Sequence, residues 1–147
     1  MKIIAENKRA RFDYELLNTY EAGIVLTGDE IKSVRLGHFS LVDCYGFIKD
    51  GECFLRNSYI KEYSNSFDAG RYGDTTRRDR KLLLHKEEIL KIKKKLETEH
   101  LTLVPTKAYF DNSNLKVEIA VARGKKLYDK RESLKKKEIN KKIRQML

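Results

Sequence analysis

Arg123 to Leu147 holds 11 Lys or Arg against 3 Asp or Glu, in a chain of 147 residues whose whole formal charge is +10. Its opening run, Gly124-Lys125-Lys126-Leu127-Tyr128-Asp129-Lys130-Arg131, sets an aromatic ring among cations. The chemistry open to such a segment is phosphate binding, with Tyr128 available to stack on a base. Beyond that run only Leu134, Ile139, Ile143, Met146 and Leu147 are sizeable and apolar. They bury too little surface to offset the entropy of ordering, so the tail is expected to be disordered when free. A second stretch, Arg77 to Lys95, carries 9 basic and 3 acidic residues. The two runs hold more than the entire net charge and leave the remainder mildly acidic. Such a directed footprint favours a nucleic-acid partner over two merely solvated faces.

Catalytic chemistry finds no comparable arrangement. His38, His85 and His100 are scattered, and no Cys or His pair has zinc-ligand spacing. Gly70-Arg71-Tyr72-Gly73 lacks the strand-to-helix setting of a phosphate-cradling loop. No enzyme activity, metal or cofactor is therefore expected. Cys44 and Cys53 lie on two arms of an expected hairpin, four positions out of register. At the strand rise that separates them by roughly 13 Å, too far for a disulfide. No segment approaches the roughly 18 apolar residues of a membrane span, and Met1 to Glu6 is too short and charged for a signal peptide. A cytoplasmic monomer without membrane attachment is expected.

The elements that must position these residues read as mainly β. Phe12 to Thr27, rich in Tyr, Leu, Ile and Val, is a strand. Gly28 to Gly37 is a short helix with acids in its first turn, Arg35 near its end and Gly37 as its stop. Ile31 and Val34 face inward, with Leu36 a further candidate. Leu41 to Ile48 and Glu52 to Ile60 form a hairpin around Asp50-Gly51. Lys61 to Arg80 is a long polar loop. A second helix covers Lys86 to Glu99, with Ile89, Ile92 and Leu96 on one face. A last hairpin joins Leu101–Phe110 to Leu115–Ala122. Five or six short antiparallel strands with two to three helices make one domain, and periodicity alone leaves barrel and sandwich open.

Five separated motifs fall in one family order: Asn7-Lys8-Arg9-Ala10-Arg11, Tyr20-Glu21-Ala22-Gly23-Ile24, Gly28-Asp29-Glu30-Ile31-Lys32-Ser33-Val34-Arg35, Arg80-Lys81-Leu82-Leu83-Leu84-His85 and the Gly124–Arg131 run. Together they resemble the SmpB family, the bacterial SsrA-binding proteins that escort transfer-messenger RNA to stalled ribosomes. The resemblance spans about residues 7 to 131. It implies an OB-like antiparallel barrel over residues 1–122 and a basic tail over 123–147 that becomes helical on the ribosome. It also implies a non-enzymatic adaptor whose partners are transfer-messenger RNA, the small-subunit decoding centre and messenger channel, and transiently elongation factor Tu with the aminoacylated RNA. The alternatives are a generic ribosomal or single-strand RNA-binding protein of OB type, and a structural protein with an anion-seeking tail.

The same resemblance assigns roles to residues. By itself Glu21 reads as a solvated strand residue; the family's Glu-Ala-Gly motif implies contact with the tRNA-like part of the RNA. A carboxylate repels phosphate, so that contact must accept hydrogen bonds from base edges or ribose hydroxyls. Lys32 and Arg35, three apart, share a helix face that is either ordinary solvent surface or a phosphate contact flanking Glu21. Leu83 and His85 alternate with Leu82 and Leu84, so they project outward if the latter pair enters the core. Thr76 and Asp79 stand where family members commonly have proline, while Arg77, Arg78, Arg80 and Lys81 keep the charge of that stretch. The expected RNA-binding set is Lys8, Arg9, Arg11, Glu21, Lys32, Arg35, Arg80, Lys81, Leu83, His85, Lys125 and Lys126. The expected ribosome-contacting set is Gly124, Tyr128, Asp129, Lys130, Arg131, Lys135, Lys136, Lys137, Ile139, Lys141, Lys142 and Met146.

Overall fold

A computed structural model describes residues 1–63 and 73–125 of the chain. Its elements run β1 (Lys2–Glu6), α1 (Lys8–Asp13), β2 (Tyr14–Ile24), α2 (Gly28–Arg35), β3 (Phe39–Ser40), β4 (Tyr45–Lys49), β5 (Glu52–Arg56), β6 (Tyr59–Ile60), β7 (Arg80–Leu83), α3 (Lys86–Thr98), β8 (Thr102–Asp111) and β9 (Asn114–Gly124). Strands β8-β4-β5-β7-β2-β9 follow one another antiparallel, and β9 pairs back onto β8 to close the ring. The fold is thus a barrel, OB-like in its size and antiparallel closure, and the choice between barrel and sandwich is settled by that last pairing.

Local chemistry explains the turns and caps. Asp50 and Gly51 both have positive φ, 53° and 74°, the conformation a two-residue hairpin loop demands. It sets the register Ile48↔Cys53 and Phe47↔Phe54. Thr27 caps α2 by accepting from the Glu30 N–H, and Glu30 reaches back to the Thr27 N–H at 2.9 Å. Closure depends on Gly46, which pairs with Leu103 across β4 and β8. A Cβ at Gly46 would lie 2.6 Å from Leu103 Cδ2, so any other residue there must displace the buried Leu103 side chain where the two strands meet.

Alternation fills the interior. Leu55, Leu82, Leu103, Val117, Ile119 and Val121 are each at most 1% exposed and form one core with Val34 from α2 and Ile92 from α3. Outside the ring, α1 lays Ala10 on Val104, Ala120 and Ala122, small residues that let the helix sit close. Cys44 and Cys53 are buried free thiols. Burial pushes them up to about 12 and about 11 respectively, so both are neutral at physiological pH.

Several expectations are corrected. Phe12 and Asp13 belong to α1 rather than to the strand that follows. Lys2–Glu6 forms an added strand paired to β8. Leu36 is 62% exposed and does not face inward. The first hairpin is confined to Tyr45–Lys49 and Glu52–Arg56, and the flanking residues form a separate small pairing of β3 with β6. Of the loop 61–80, residues 64–72 lie outside the described residues.

Candidate nucleic-acid interface

Glu21 stands on the outer face of β2, because its neighbour Ala22 is fully buried. Its carboxylate does not simply face water. The Tyr109 hydroxyl donates to Glu21 Oε2 at 2.6 Å, and Lys116 Nζ lies 3.8 Å from Oε1. Strand register brings them together: Gly23 pairs with Lys116, and Lys116 with Tyr109. Tyr109 is itself buried, and its phenol is held well above the ordinary range by burial and then by the Glu21 bond. A short donor from a rigid ring fixes the carboxylate in one orientation while its side chain stays 53% exposed. Sequence reading missed Tyr109 and Lys116, since nothing local ties residues 88 positions apart.

Leu83 and His85 are exposed and Leu82 is buried, as alternation requires. Leu83 sits on Gly23, where a Cβ would touch its Cβ at 3.4 Å. Gly23, Ile31, Leu83 and Lys116 line a groove of about 500 Å³. A second groove, of about 580 Å³, shares Ser113 with it and is lined by Arg35, Lys2 and Phe110. Lys32 points elsewhere, its Nζ 5.6 Å from the Tyr63 ring centroid. Of the two helix cations Arg35 lines the second groove, which adjoins the first at Ser113, and Lys32 lines neither. His85 precedes α3, and its backbone N–H donates to Glu88 Oε1 at 3.2 Å.

The other cations are distributed unequally. Lys8, Arg9 and Arg11 are exposed on α1, with Arg9 reaching Asp13 at 3.5 Å and lying over the Phe12 ring. Lys81 pairs with Glu52 at 3.2 Å. Lys125 donates to the Arg11 carbonyl at 2.9 Å while its N–H bonds the Asp13 carbonyl, so Gly124 and Lys125 moor the start of the tail to the C-terminal end of α1. Lys126, Tyr128, Asp129, Lys130, Arg131, Lys135, Lys136, Lys137, Ile139, Lys141, Lys142 and Met146 lie outside the described residues.

Arg80 is the correction. It is 0% exposed, so it cannot contact RNA directly. Its guanidinium donates to Glu30 Oε2 at 2.8 Å, to the Ser58 carbonyl at 2.7 Å and to the Thr76 carbonyl at 3.1 Å. Arg78 also binds both oxygens of Glu30. One carboxylate therefore caps α2 and neutralises two arginines of the stretch before β7. Burial opposes its charge, but Arg78, the Thr27 N–H and Arg80 outweigh that and hold it below the ordinary carboxylate range. The hub fixes α2, and with it Arg35 and the groove residue Ile31. Asp79, one of the two residues that stand in place of the family's common prolines, accepts from Arg56 Nε and Nη2 at 3.0 and 2.9 Å. Asp74 accepts from the Thr76 N–H at 3.0 Å, so side-chain bonds shape the segment that lacks proline.

Among the described residues no cluster of His, Cys, Asp or Glu could hold a metal ion, and no helix is long and apolar enough to cross a membrane. The closed barrel, three flanking helices and an outer strip bearing a fixed carboxylate, an exposed leucine and scattered cations define a small OB-like barrel protein with a polar binding face. The chain matches the model of the SmpB protein family over residues 4–147. It is 51% identical over 148 residues to an SsrA-binding protein of Thermosipho melanesiensis, covering 100% of this chain and 99% of that one. It is 50% identical to an SsrA-binding protein of Acidothermus cellulolyticus, with 99% of this chain and 90% of the relative covered. A solved structure described as "tmRNA-SmpB: a journey to the center of the bacterial ribosome" is 45% identical, superposes with a TM-score of 0.68 and covers 88% of this chain and 92% of its own. This chain belongs to the SmpB family.

Proposed function

We propose that this protein is a non-enzymatic RNA-binding adaptor of the cytoplasm. It binds the tRNA-like domain of transfer-messenger RNA and delivers it to stalled ribosomes for trans-translation. The observation that carries the reading is family membership along the whole chain, from residue 4 to residue 147, with relatives about half identical that are named SsrA-binding proteins. The geometry supports a division of labour. Glu21, oriented by Tyr109, reads base edges or ribose hydroxyls, while Lys116 beside it and Arg35 in the adjoining groove meet phosphate. Lys8, Arg9 and Arg11 on α1 extend the cationic edge, and Leu83 and His85 supply apolar and stacking surface.

The tail takes the second partner. Moored at Gly124 and Lys125, it enters the messenger channel of the small subunit and folds there as a helix, with Ile139 and Met146 on a thin apolar stripe among lysines. Tyr128, Asp129, Lys130 and Arg131 reach the decoding centre. The complex forms transiently with elongation factor Tu and the aminoacylated RNA, from a monomeric protein.

Removing Lys130 to Leu147 tests this division. Transfer-messenger RNA binding is expected to survive, and tagging of stalled peptides in a reconstituted translation system is expected to stop. Tagging at the wild-type rate by the truncated protein would refute it.

A further inference from the structure

The outer face of the β4–β5 hairpin carries an arrangement that the Glu21 face does not use. The Phe47 and Phe54 rings are cross-strand partners, with centroids 5.4 Å apart and planes 23° from parallel. Arg56 Cζ lies over Phe47, 4.2 Å from the ring centroid. Two aromatic rings and a guanidinium therefore rise as three tiers. The top tier is held from the side: Asp79 accepts from Nε and Nη2 at 3.0 and 2.9 Å.

Stability does not account for such fixing. The Arg56 side chain is 47% exposed and Asp79 42%, and an ion pair that open to water stabilises a fold little. What the fixing does produce is a flat, delocalised group whose edge is spent on a carboxylate, on a side chain about half exposed to solvent. An edge-neutralised guanidinium is a poor phosphate site but a good stacking plane, because stacking uses the face and not the N–H fork. The ligand with a matching flat face is a nucleobase, and every base has one. Lys81, opposite Phe54 in register, lies on the same side of β7 as Leu83. The tiers are thereby continuous with the proposed RNA face, across a single strand.

We propose that Phe54, Phe47 and Arg56 form a stacking platform for an unpaired base of bound RNA, separate from the Glu21 contact. The inference rests on the reading of the partner as RNA. Lys49 and Lys81 flank the platform and accompany the backbone of the stacked nucleotide. Arg56→Lys keeps charge and loses the plane; Phe47→Leu keeps apolar bulk and loses the ring.

The full chain is titrated with the tRNA-like domain of transfer-messenger RNA, and with a short single-stranded oligoribonucleotide carrying 2-aminopurine. Both variants are expected to bind the domain about tenfold more weakly with an unchanged salt slope, the size of one lost base stack. Wild type is expected to quench 2-aminopurine fluorescence, and Arg56→Lys is expected not to. Wild-type affinity and quenching in Arg56→Lys would overturn the platform. So would a reduced salt slope with quenching intact, since Arg56 would then be a phosphate contact. Unchanged binding of the tRNA-like domain and of the oligoribonucleotide, with weakened ribosome binding, would overturn it, since the surface would then contact the ribosome and not a base of the bound RNA. Should Phe47→Leu fail to fold, the exposed Arg56→Lys carries the test. Quenching by wild type without binding of the tRNA-like domain would support the platform and refute the proposed function, so the two can fail separately.

Discussion

Glu21 shows how one residue is prepared for recognition before any partner arrives. A carboxylate in water samples many orientations, and binding must then freeze one. Here the buried Tyr109 hydroxyl fixes Oε2 and Lys116 stands near Oε1, so part of that ordering is done on folding. Glu21→Ala removes the acceptor altogether. A charge-assisted hydrogen bond is worth about 1.5–3 kcal/mol, so RNA affinity is expected to fall at least about tenfold in a protein that still folds. Tyr109→Phe keeps the carboxylate and the ring but frees the orientation. RNA binding by this variant is expected to fall between wild type and Glu21→Ala in a gel-shift titration. Wild-type affinity in Tyr109→Phe would show that the tyrosine does not position Glu21.

At the scale of elements, two contacts decide whether the ring closes and stays aligned. Gly46→Ala places a methyl 2.6 Å from Leu103, and the cost of such overpacking is about 1–3 kcal/mol, read from the midpoint of urea unfolding. The Glu30 hub is the second. Its folded pKa lies below the ordinary 4.5, so its stabilisation is complete above that value and is lost as the pH falls below it. Glu30→Gln leaves the fully buried Arg80 without its counter-charge. A loss of about 3–5 kcal/mol is expected at neutral pH. The variant's stability is also expected to decline less steeply than wild type's as the pH falls below about 4.5, where the wild-type carboxylate loses its advantage over the unfolded chain. Parallel acid-denaturation curves for the two proteins would show that Glu30 does not titrate with folding.

The whole molecule is a nearly neutral barrel joined to a strongly basic end: 11 of its 32 Lys and Arg lie in the last 25 residues. Affinity of the full chain for the ribosome is therefore expected to fall linearly on a log–log plot against salt, the slope decreasing by about 1 for each of Lys135, Lys136, Lys137, Lys141 or Lys142 replaced by Ala. Replacing Ile139 and Met146 by Ala is expected to reduce tagging without changing that slope, because packing releases no counterions. A slope that fell with the apolar substitutions would mean that the stripe and the charges act as one site.

Much of this was legible in the sequence because it is local. The Asp50-Gly51 turn, the acids opening α2, the Leu82/Leu83 alternation and the basic runs are each specified within a few residues, by φ preference, period or charge. The five motifs carried the family for the same reason, as short strings in fixed order. What only the tertiary structure decided depends on residues far apart in the chain. Arg80 looks like any other surface cation until Glu30, Ser58 and Thr76 meet around it, 50, 22 and 4 positions away. Tyr109 reads as an ordinary strand tyrosine until β8, β9 and β2 align to deliver it to Glu21. A sequence states which groups are charged or apolar and with what period; which of them share a site is fixed by strand register and ring closure, and those are properties of the assembled barrel.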